Sequence, residues 1–285
     1  MRVAENEQVQ RRRVFYIPGY DPFPPRRYRE LYRKEGAAQA GISGYDLTLT
    51  PKEAGQGFGW HVSTRMEGAE TQAEIEVLIW SDIVQGSMGR GIPATYWQLL
   101  RTSWAYIGSG AIFRLARLRK GPTIAALYPI AMLLLQLGLA IAAALLVAFL
   151  TLNMSEFFLT GVAGPRWVQL SILAATGLGI LAAVMVLRWF KAQDHRFFAY
   201  YLMHDYAYSA QGRGATPADL QARLDAFGDT IAAALREDWD EVLVVGHSSG
   251  AHLAISILAD LIRAGRVPTG GPALGFLSLG QVVPM

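Results

Sequence analysis

Two long apolar segments without a charged residue constrain this chain more than any other feature of its sequence. The first covers 121–155, and within its core, 130–150, Gln136 is the one polar side chain. The second covers 167–187 and has an arginine on each side. A helix needs about 20 consecutive apolar residues to cross a bilayer. The two segments therefore predict a transmembrane hairpin, with a pair of helices buried in a large soluble core as the alternative.

The overall composition agrees with a membrane protein. Of 285 residues, 52% are hydrophobic and 17% are charged, which is too apolar for an ordinary soluble domain. The formal net charge is +3, and the basic residues cluster beside the apolar segments instead of forming a stripe. We therefore expect a lipid bilayer as the partner and no nucleic acid. The absence of cysteine excludes disulfides, thiol catalysis and cysteine-based zinc sites.

The basic residues around the apolar segments predict their orientation. The connection between the segments holds only Glu156 before Arg166, and residues 1–13 are polar, with no apolar stretch typical of a secretory signal. Because cytoplasmic flanks are rich in Lys and Arg, we expect an integral protein of a membrane such as the bacterial inner membrane, with both termini and the globular domain cytoplasmic. The basic residues precede the first segment and follow the second: Arg114, Arg117, Arg119, Lys120, then Arg188, Lys191 and Arg196.

A third apolar pattern precedes the first segment. Its residues recur at helical spacing and lead into the basic cluster. Two interpretations stay open: a helix that lies along the lipid headgroups, or a helix that packs against a domain. The residues are Tyr96, Leu100, Trp104, Ile107 and Ala111.

The chain on both sides of the apolar segments alternates between strand and helix patterns. Such alternation predicts an α/β fold with a mainly parallel sheet, whose sites lie at the carboxyl ends of the strands. Before the segments we predict a strand over 14–17, a helix over 26–40 closed by Gly41, a hairpin of 44–51 with 60–66, and a strand over 73–80. After them we predict helices over 194–209 and 217–235, a strand over 241–245, a helix to Arg263 and a strand over 273–279.

The most informative short motif is Gly246-His-Ser-Ser-Gly250. It follows the apolar strand 241–245 and precedes a helix of small and apolar residues. In a strand–turn–helix context, G-x-S-x-G is typical of a nucleophile elbow, in which the middle serine is strained and exposed above the sheet. Ser248 is therefore a candidate nucleophile. The alternative is a glycine-rich turn that contains an incidental serine.

With this motif, residues 13–91 and 210–280 resemble the α/β-hydrolase superfamily. The resemblance implies a sheet of α/β-hydrolase type, into which the transmembrane hairpin is inserted. It also implies an oxyanion hole formed by the loop at Gly19 and Tyr20 and by the residue after the nucleophile, Ser249. Members of the family usually have His-Gly in that loop, whereas this chain has Pro18-Gly19.

The resemblance implies a chain order of serine, then acid, then histidine. After Ser248 the sequence offers only His252 and Asp260, both on the elbow helix, and they are weak candidates. His204 and Asp205 are adjacent, so their side chains point about 100° apart on a helix and do not form a dyad with each other. We expect the chain to lack the C-terminal part that carries the acid and histidine, as a truncated copy, a fragment or a form without catalysis.

The predicted organisation has five parts. They are a polar N-terminal tail (1–12), the first part of the hydrolase-like domain (13–91), an interfacial or linking helix (92–121), the transmembrane hairpin (122–190), and the second part of the domain with the elbow (191–285).

The function hypothesis is a membrane-anchored serine hydrolase of the esterase or lipase type, acting on a lipid or hydrophobic acyl ester at the cytoplasmic face. No metal-binding or nucleotide-binding motif occurs, so we expect no metal and no cofactor. The alternative is a non-catalytic membrane protein that uses the scaffold for binding or assembly. A transporter is disfavoured because Gln136 alone offers no path for an ion. The substrate and the oligomeric state stay open.

Overall fold

The computed structural model describes residues 9–53, 57–88, 91–118, 120–159, 164–211 and 215–280. The chain divides into two compact units. The sheet unit combines Met1–Gly86 with Thr216–Val283, and the helical unit is Ser87–Ala215. Residues 191–215, which the sequence analysis grouped with the sheet, therefore cluster with the apolar helices.

The elements follow one another along the chain in the order expected of an α/β protein with a helical insertion. They are β1 (Arg11–Ile17), α1 (Arg26–Ser43), β2 (Asp46–Pro51), β3 (Gly59–Met66), β4 (Ala69–Val77), α2 (Ser81–Met88), α3 (Ile92–Gly108), α4 (Ala111–Leu118), α5 (Lys120–Leu159), α6 (Pro165–Ala192), α7 (Asp194–Phe197), α8 (Ala199–Ala210), α9 (Ala218–Ala234), β5 (Glu241–His247), α10 (Ser249–Arg263) and β6 (Ala273–Leu279).

The six strands of the described ranges form one mixed sheet in the order β2-β3-β4-β1-β5-β6. β1 pairs in parallel with β4 and β5, and β5 pairs in parallel with β6, whereas β2, β3 and β4 are antiparallel neighbours. The predicted α/β class and mostly parallel sheet are confirmed. In the register Ile17 pairs with Gly246, which brings the carboxyl ends of β1 and β5 to the same edge.

The central strands are apolar on both faces because helices cover both. On one face Val14 and Val245 belong to a buried cluster against which Tyr28 of α1 packs. On the other face Phe15, Val242 and Val244 are fully buried. α10 packs against β1 and β5, and α9 packs against α10. Helices on both faces are the rule for parallel sheets, and they hold the carboxyl-end loops in place.

Several element boundaries differ from the predicted ones, and two of these differences have clear local reasons. α1 continues past Gly41 to Ser43, and Gly44, with a φ of 70°, occupies the left-handed position that follows a helix. β4 begins at Ala69 and not at residue 73, because Glu67 and Gly68 form a two-residue turn with φ of 53° and 84°. Positive φ at both central residues is typical of the tight hairpin turn that joins β3 to β4 directly.

The predicted single helix over 194–209 is broken at Phe198. This residue has a φ of 53° and separates α7 from α8. The Asp194 carboxylate accepts hydrogen bonds from the backbone N–H groups of Tyr200 and Tyr201, both at 2.9 Å. A carboxylate at a helix N-terminus satisfies N–H groups that have no partner within the helix, so the new start of α8 is stabilised.

α5 and α6 form an antiparallel pair of long apolar helices. By length and composition both are able to cross a membrane. Only 17% of the most apolar stretch of α5 and 11% of that of α6 is buried, which argues against a pair of soluble core helices. The two helices approach closely at Gly179, where a Cβ would lie 2.9 Å from the carbonyl oxygen of Ala144. Small residues at such crossings are common between helices in lipid.

Tyrosine hydroxyls attach the N-terminal part of α5 to its neighbours. Pro129 has no N–H to donate to the carbonyl of Ala125, and the Tyr206 hydroxyl of α8 donates to that carbonyl instead, at 3.2 Å. The Tyr96 hydroxyl of α3 donates to the carbonyl of Leu133 at 3.0 Å. α3 and α8 are therefore fixed to this part of α5.

Candidate active site

The backbone of Ser248 adopts a conformation that is rare for a residue with a side chain. Its φ is 53° and its ψ is −125°, at the junction between the end of β5 and the start of α10. Such a conformation costs about 1–3 kcal/mol and persists only where the surrounding structure enforces it. Ser248 is half-buried, and its hydroxyl makes no capping hydrogen bond to α10. The side chain is therefore held in a strained turn and is not used to stabilise the helix.

The two glycines of the motif are required for space. A Cβ at Gly246 would lie 2.3 Å from the Cα of Ala251, and a Cβ at Gly250 would lie 2.2 Å from the carbonyl oxygen of Ile17. Neither glycine has a positive φ, so neither position requires glycine for its backbone conformation. The first lets the chain turn back into α10, and the second lets α10 pack against the end of β1.

The loop after β1 lies directly against the candidate nucleophile. A Cβ at Gly19 would lie 3.0 Å from the Cβ of Ser248 and 3.1 Å from the carbonyl oxygen of His247. A side chain at position 19 would be in tighter contact than is usual, so the neighbouring atoms would have to move by a few tenths of an ångström. The structure therefore brings Gly19 and Ser248 together, although they are 229 residues apart in the chain.

Trp80 anchors this loop, a role that the sequence analysis missed. Its buried indole N–H donates to the carbonyl of Pro18 at 2.9 Å. The Tyr20 side chain is buried, and its ring lies edge-on to the Trp80 ring at 6.1 Å between centroids. The available signal was the position of Trp80 just after a strand that ends at the same edge of the sheet as β1. The indole thus holds the Pro18 carbonyl before Gly19 and packs against the Tyr20 ring after it.

The start of α10 makes the surroundings of Ser248 favourable to negative charge. A helix N-terminus carries roughly half a positive charge, and its first N–H groups point out of the helix. Ser249 is the first residue of α10. The backbone N–H of Ser248 itself donates to the carbonyl of Leu279 at 2.9 Å, so β6 also supports the turn. The geometry suits an anion that develops beside the Ser248 hydroxyl.

The weak triad candidates are not brought to Ser248. His252 is exposed and lies one turn along α10. Asp260 lies about 18 Å from Ser248 along the helix axis and forms an ion pair with Arg263 at 3.1 Å. His247 is exposed and stacks on Tyr16 with 6.5 Å between ring centroids. Among the residues that the structure describes, no histidine donates to or accepts from the Ser248 hydroxyl.

Asp21 is a second residue at this edge that the sequence analysis did not single out. Its carboxylate accepts hydrogen bonds from the Tyr28 hydroxyl at 2.7 Å and from the Phe23 N–H at 2.9 Å. Burial, with a further contribution from the Asp21 charge, raises the pKa of Tyr16 to about 12. Asp21 thus fixes the far end of the Gly19 loop against α1.

The rest of the described chain adds no metal site. Within the described ranges, no three His, Asp or Glu side chains cluster as a set of metal ligands. Comparisons with models of known protein families, with curated proteins and with solved structures give no match.

Proposed function

We propose that this chain is a membrane-anchored serine hydrolase of the esterase or lipase type, with Ser248 as its nucleophile. The observation that carries the proposal is the strained backbone of Ser248, φ 53° and ψ −125°, between a parallel strand and a helix. Strain of this kind concentrates at functional sites.

The proposed chemistry is acyl transfer. The Ser248 oxygen attacks the ester carbonyl carbon, its proton passes to a base, and the alcohol leaves with a proton to give an acyl-enzyme that water hydrolyses. Backbone N–H groups of Gly19 or Tyr20 and of Ser249 would hold the oxyanion. The proposal also requires a histidine and an acid that orients it, and in the described residues His252 and Asp260 do not occupy those places.

The two long apolar helices support the membrane part of the proposal. Their exposed surfaces are apolar over most of their length, with leucine and isoleucine side chains such as Leu145 and Ile180 more than half exposed. Crossing of the bilayer by α5 and α6 would place the sheet unit on the side of the basic flanks, the cytoplasm. Tethering to a bilayer raises the local concentration of apolar esters, which favours lipid-borne substrates.

One observation favours a second candidate, a non-catalytic scaffold. Without a base in hydrogen-bond reach, a serine hydroxyl is a weak nucleophile at neutral pH. Within the described ranges the nearest histidines in sequence, His247 and His252, are both exposed and make no hydrogen bond to Ser248. A chain of this kind would keep the turn at the sheet edge as a surface for binding or assembly.

A fluorophosphonate probe separates the two candidates, because it reacts with activated serines only. We expect covalent labelling of the protein in native membranes and no labelling of Ser248→Ala. Ser256→Ala is the matched control, since the Ser256 hydroxyl donates to the His252 carbonyl at 3.3 Å within α10 and should not affect labelling. Absence of labelling in the unmodified protein would refute the hydrolase and leave the scaffold.

A further inference from the structure

α3 presents a continuous apolar stripe outward from the helical unit. Trp97 is 61% exposed, Leu100 is 61%, Trp104 is 80% and Ile107 is 57%. Their spacing of three, four and three residues places all four on one side of a helix that turns about 100° per residue. Two tryptophans exposed to this extent on one helix face mark an interaction surface.

The stripe is distinct from the face by which α3 packs. The buried residues of α3 are Thr95, Leu99 and Thr102, and they lie about 150° around the helix from the stripe. Tyr96, which the sequence analysis placed in the apolar row, turns instead toward α5, and Trp97 takes its place. The stripe is therefore an additional apolar face.

The pairing of α5 with α6 indicates the height at which a bilayer would end. Gly179 lies against Ala144, and α5 and α6 run in opposite directions. Residue 136, eight residues before Ala144, therefore lies level with residue 187, eight residues after Gly179. Both are about 12 Å along their helices from the contact. Arg188 and Trp189 follow immediately on α6. A charge beside a tryptophan is typical of the boundary between hydrocarbon and water.

α3 is attached at that height. Its Tyr96 hydroxyl bonds to the carbonyl of Leu133, which lies three residues, or about 5 Å, beyond the level of residue 136. α3 also contacts α6. The helix is thus fixed beside the charged and aromatic boundary of the hairpin.

We propose that α3 lies in the membrane interface, with Trp97, Leu100, Trp104 and Ile107 inserted at the boundary between headgroups and acyl chains. The occupant of the stripe is lipid, because α3 is attached through Tyr96 within about 5 Å of the level at which Arg188 and Trp189 follow the apolar part of α6. Arg101 lies exposed at the edge of the stripe and reaches the lipid phosphates. This inference rests on the proposal that α5 and α6 cross the bilayer.

The chain contains no cysteine, so single cysteines can be introduced and labelled with an environment-sensitive fluorophore. The test positions are Trp104→Cys and, as a matched control of equal exposure in the sheet unit, Ile42→Cys, since the two side chains are 80% and 81% exposed. Ile180→Cys on α6 reports whether the hairpin itself is in lipid. Each variant is reconstituted as the full chain in phospholipid nanodiscs and quenched with aqueous iodide or with nitroxide-labelled lipid.

We expect the probe at position 104 to be blue-shifted and quenched by the lipid nitroxide several-fold more than the probe at position 42. Equal iodide quenching at 104 and 42 would overturn the inference. Protection of position 104 from both quenchers would also overturn it, since a second copy of the chain or another protein would then cover the stripe. Lipid quenching at position 180 without lipid quenching at position 104 refutes only the placement of α3. Absence of lipid quenching at position 180 refutes the membrane hairpin.

Discussion

The turn at Ser248 and the helix pair α5–α6 both depend on glycines at close approaches, but the surroundings of those glycines differ. At Gly250 the neighbouring backbone belongs to the end of β1, which is held by parallel pairing with β4 and β5. At Gly179 the neighbour is the backbone of α5, a helix that can move away as a rigid body. The same substitution should therefore cost more in the sheet unit than in the hairpin. Close packing is a strict requirement only where the neighbour is fixed.

Gly250→Ala should have the largest effect. The new Cβ would lie 2.2 Å and 2.4 Å from the carbonyl oxygens of Ile17 and Pro18. Ile17 is held by pairing with β5, and the Pro18 carbonyl is held by the Trp80 indole. We expect a loss of about 3 kcal/mol or more in the free energy of unfolding, as for other severe steric insertions. Gly228→Ala is the control, since its Cβ meets only side chains at 3.8 Å and should stabilise α9. Chemical denaturation measures both, and equal stabilities would contradict the comparison.

Gly179→Ala should have a smaller effect on the helix pair. Its Cβ would lie 2.9 Å from the Ala144 carbonyl oxygen, and separation of α5 from α6 relieves the contact at a cost of about 1–2 kcal/mol in helix packing. Gly177→Ala, with nothing within 4 Å, is the matched control. Unfolding in detergent micelles gives the difference. A Gly179→Ala loss larger than that of Gly250→Ala would reverse the proposed order.

Ser248→Gly should have the smallest effect on the free energy of unfolding, and it should stabilise the protein. Glycine adopts a φ of 53° without the strain that a Cβ brings, whereas Ser248→Ala removes the hydroxyl and keeps the strain. We expect the free energy of unfolding of Ser248→Gly to exceed that of Ser248→Ala by about 1 kcal/mol, as measured by chemical denaturation. Neither variant should react with the fluorophosphonate. If Ser248→Ala is as stable as Ser248→Gly, the turn is unstrained.

The accuracy of the sequence-based predictions depended on how local each feature is. The elbow helix was expected to end at about Arg263 and the last strand to span 273–279, and α10 and β6 have these bounds. Both are set by short apolar runs and by nearby glycines or prolines. The break at Phe198 was missed because it depends on the Asp194 carboxylate reaching forward to α8, which no apolar period reveals.

The candidate site divides in the same way. Ser248 and its two glycines were identified from one motif, since a strand–turn–helix junction is encoded in consecutive residues. The Trp80 indole on the Pro18 carbonyl and the Tyr28 hydroxyl on Asp21 were not identified, because each joins two elements. The outward stripe of α3 was predicted in part, since periodicity alone does not say which side packs. Trp97 takes the place of Tyr96, and Ala111 begins the separate helix α4 because α3 ends at Gly108.

The sequence alone determined the apolar helices, the strand and helix alternation and the serine between two glycines, because hydrophobic period and turn residues act over a few neighbouring positions. Only the tertiary structure decided that β4 lies beside β1, that Gly19 touches Ser248 and that both elbow glycines are needed for space. Those outcomes depend on contacts between residues far apart in the chain. Such contacts are set by strand pairing and by steric fit between elements, which no local pattern of the sequence specifies.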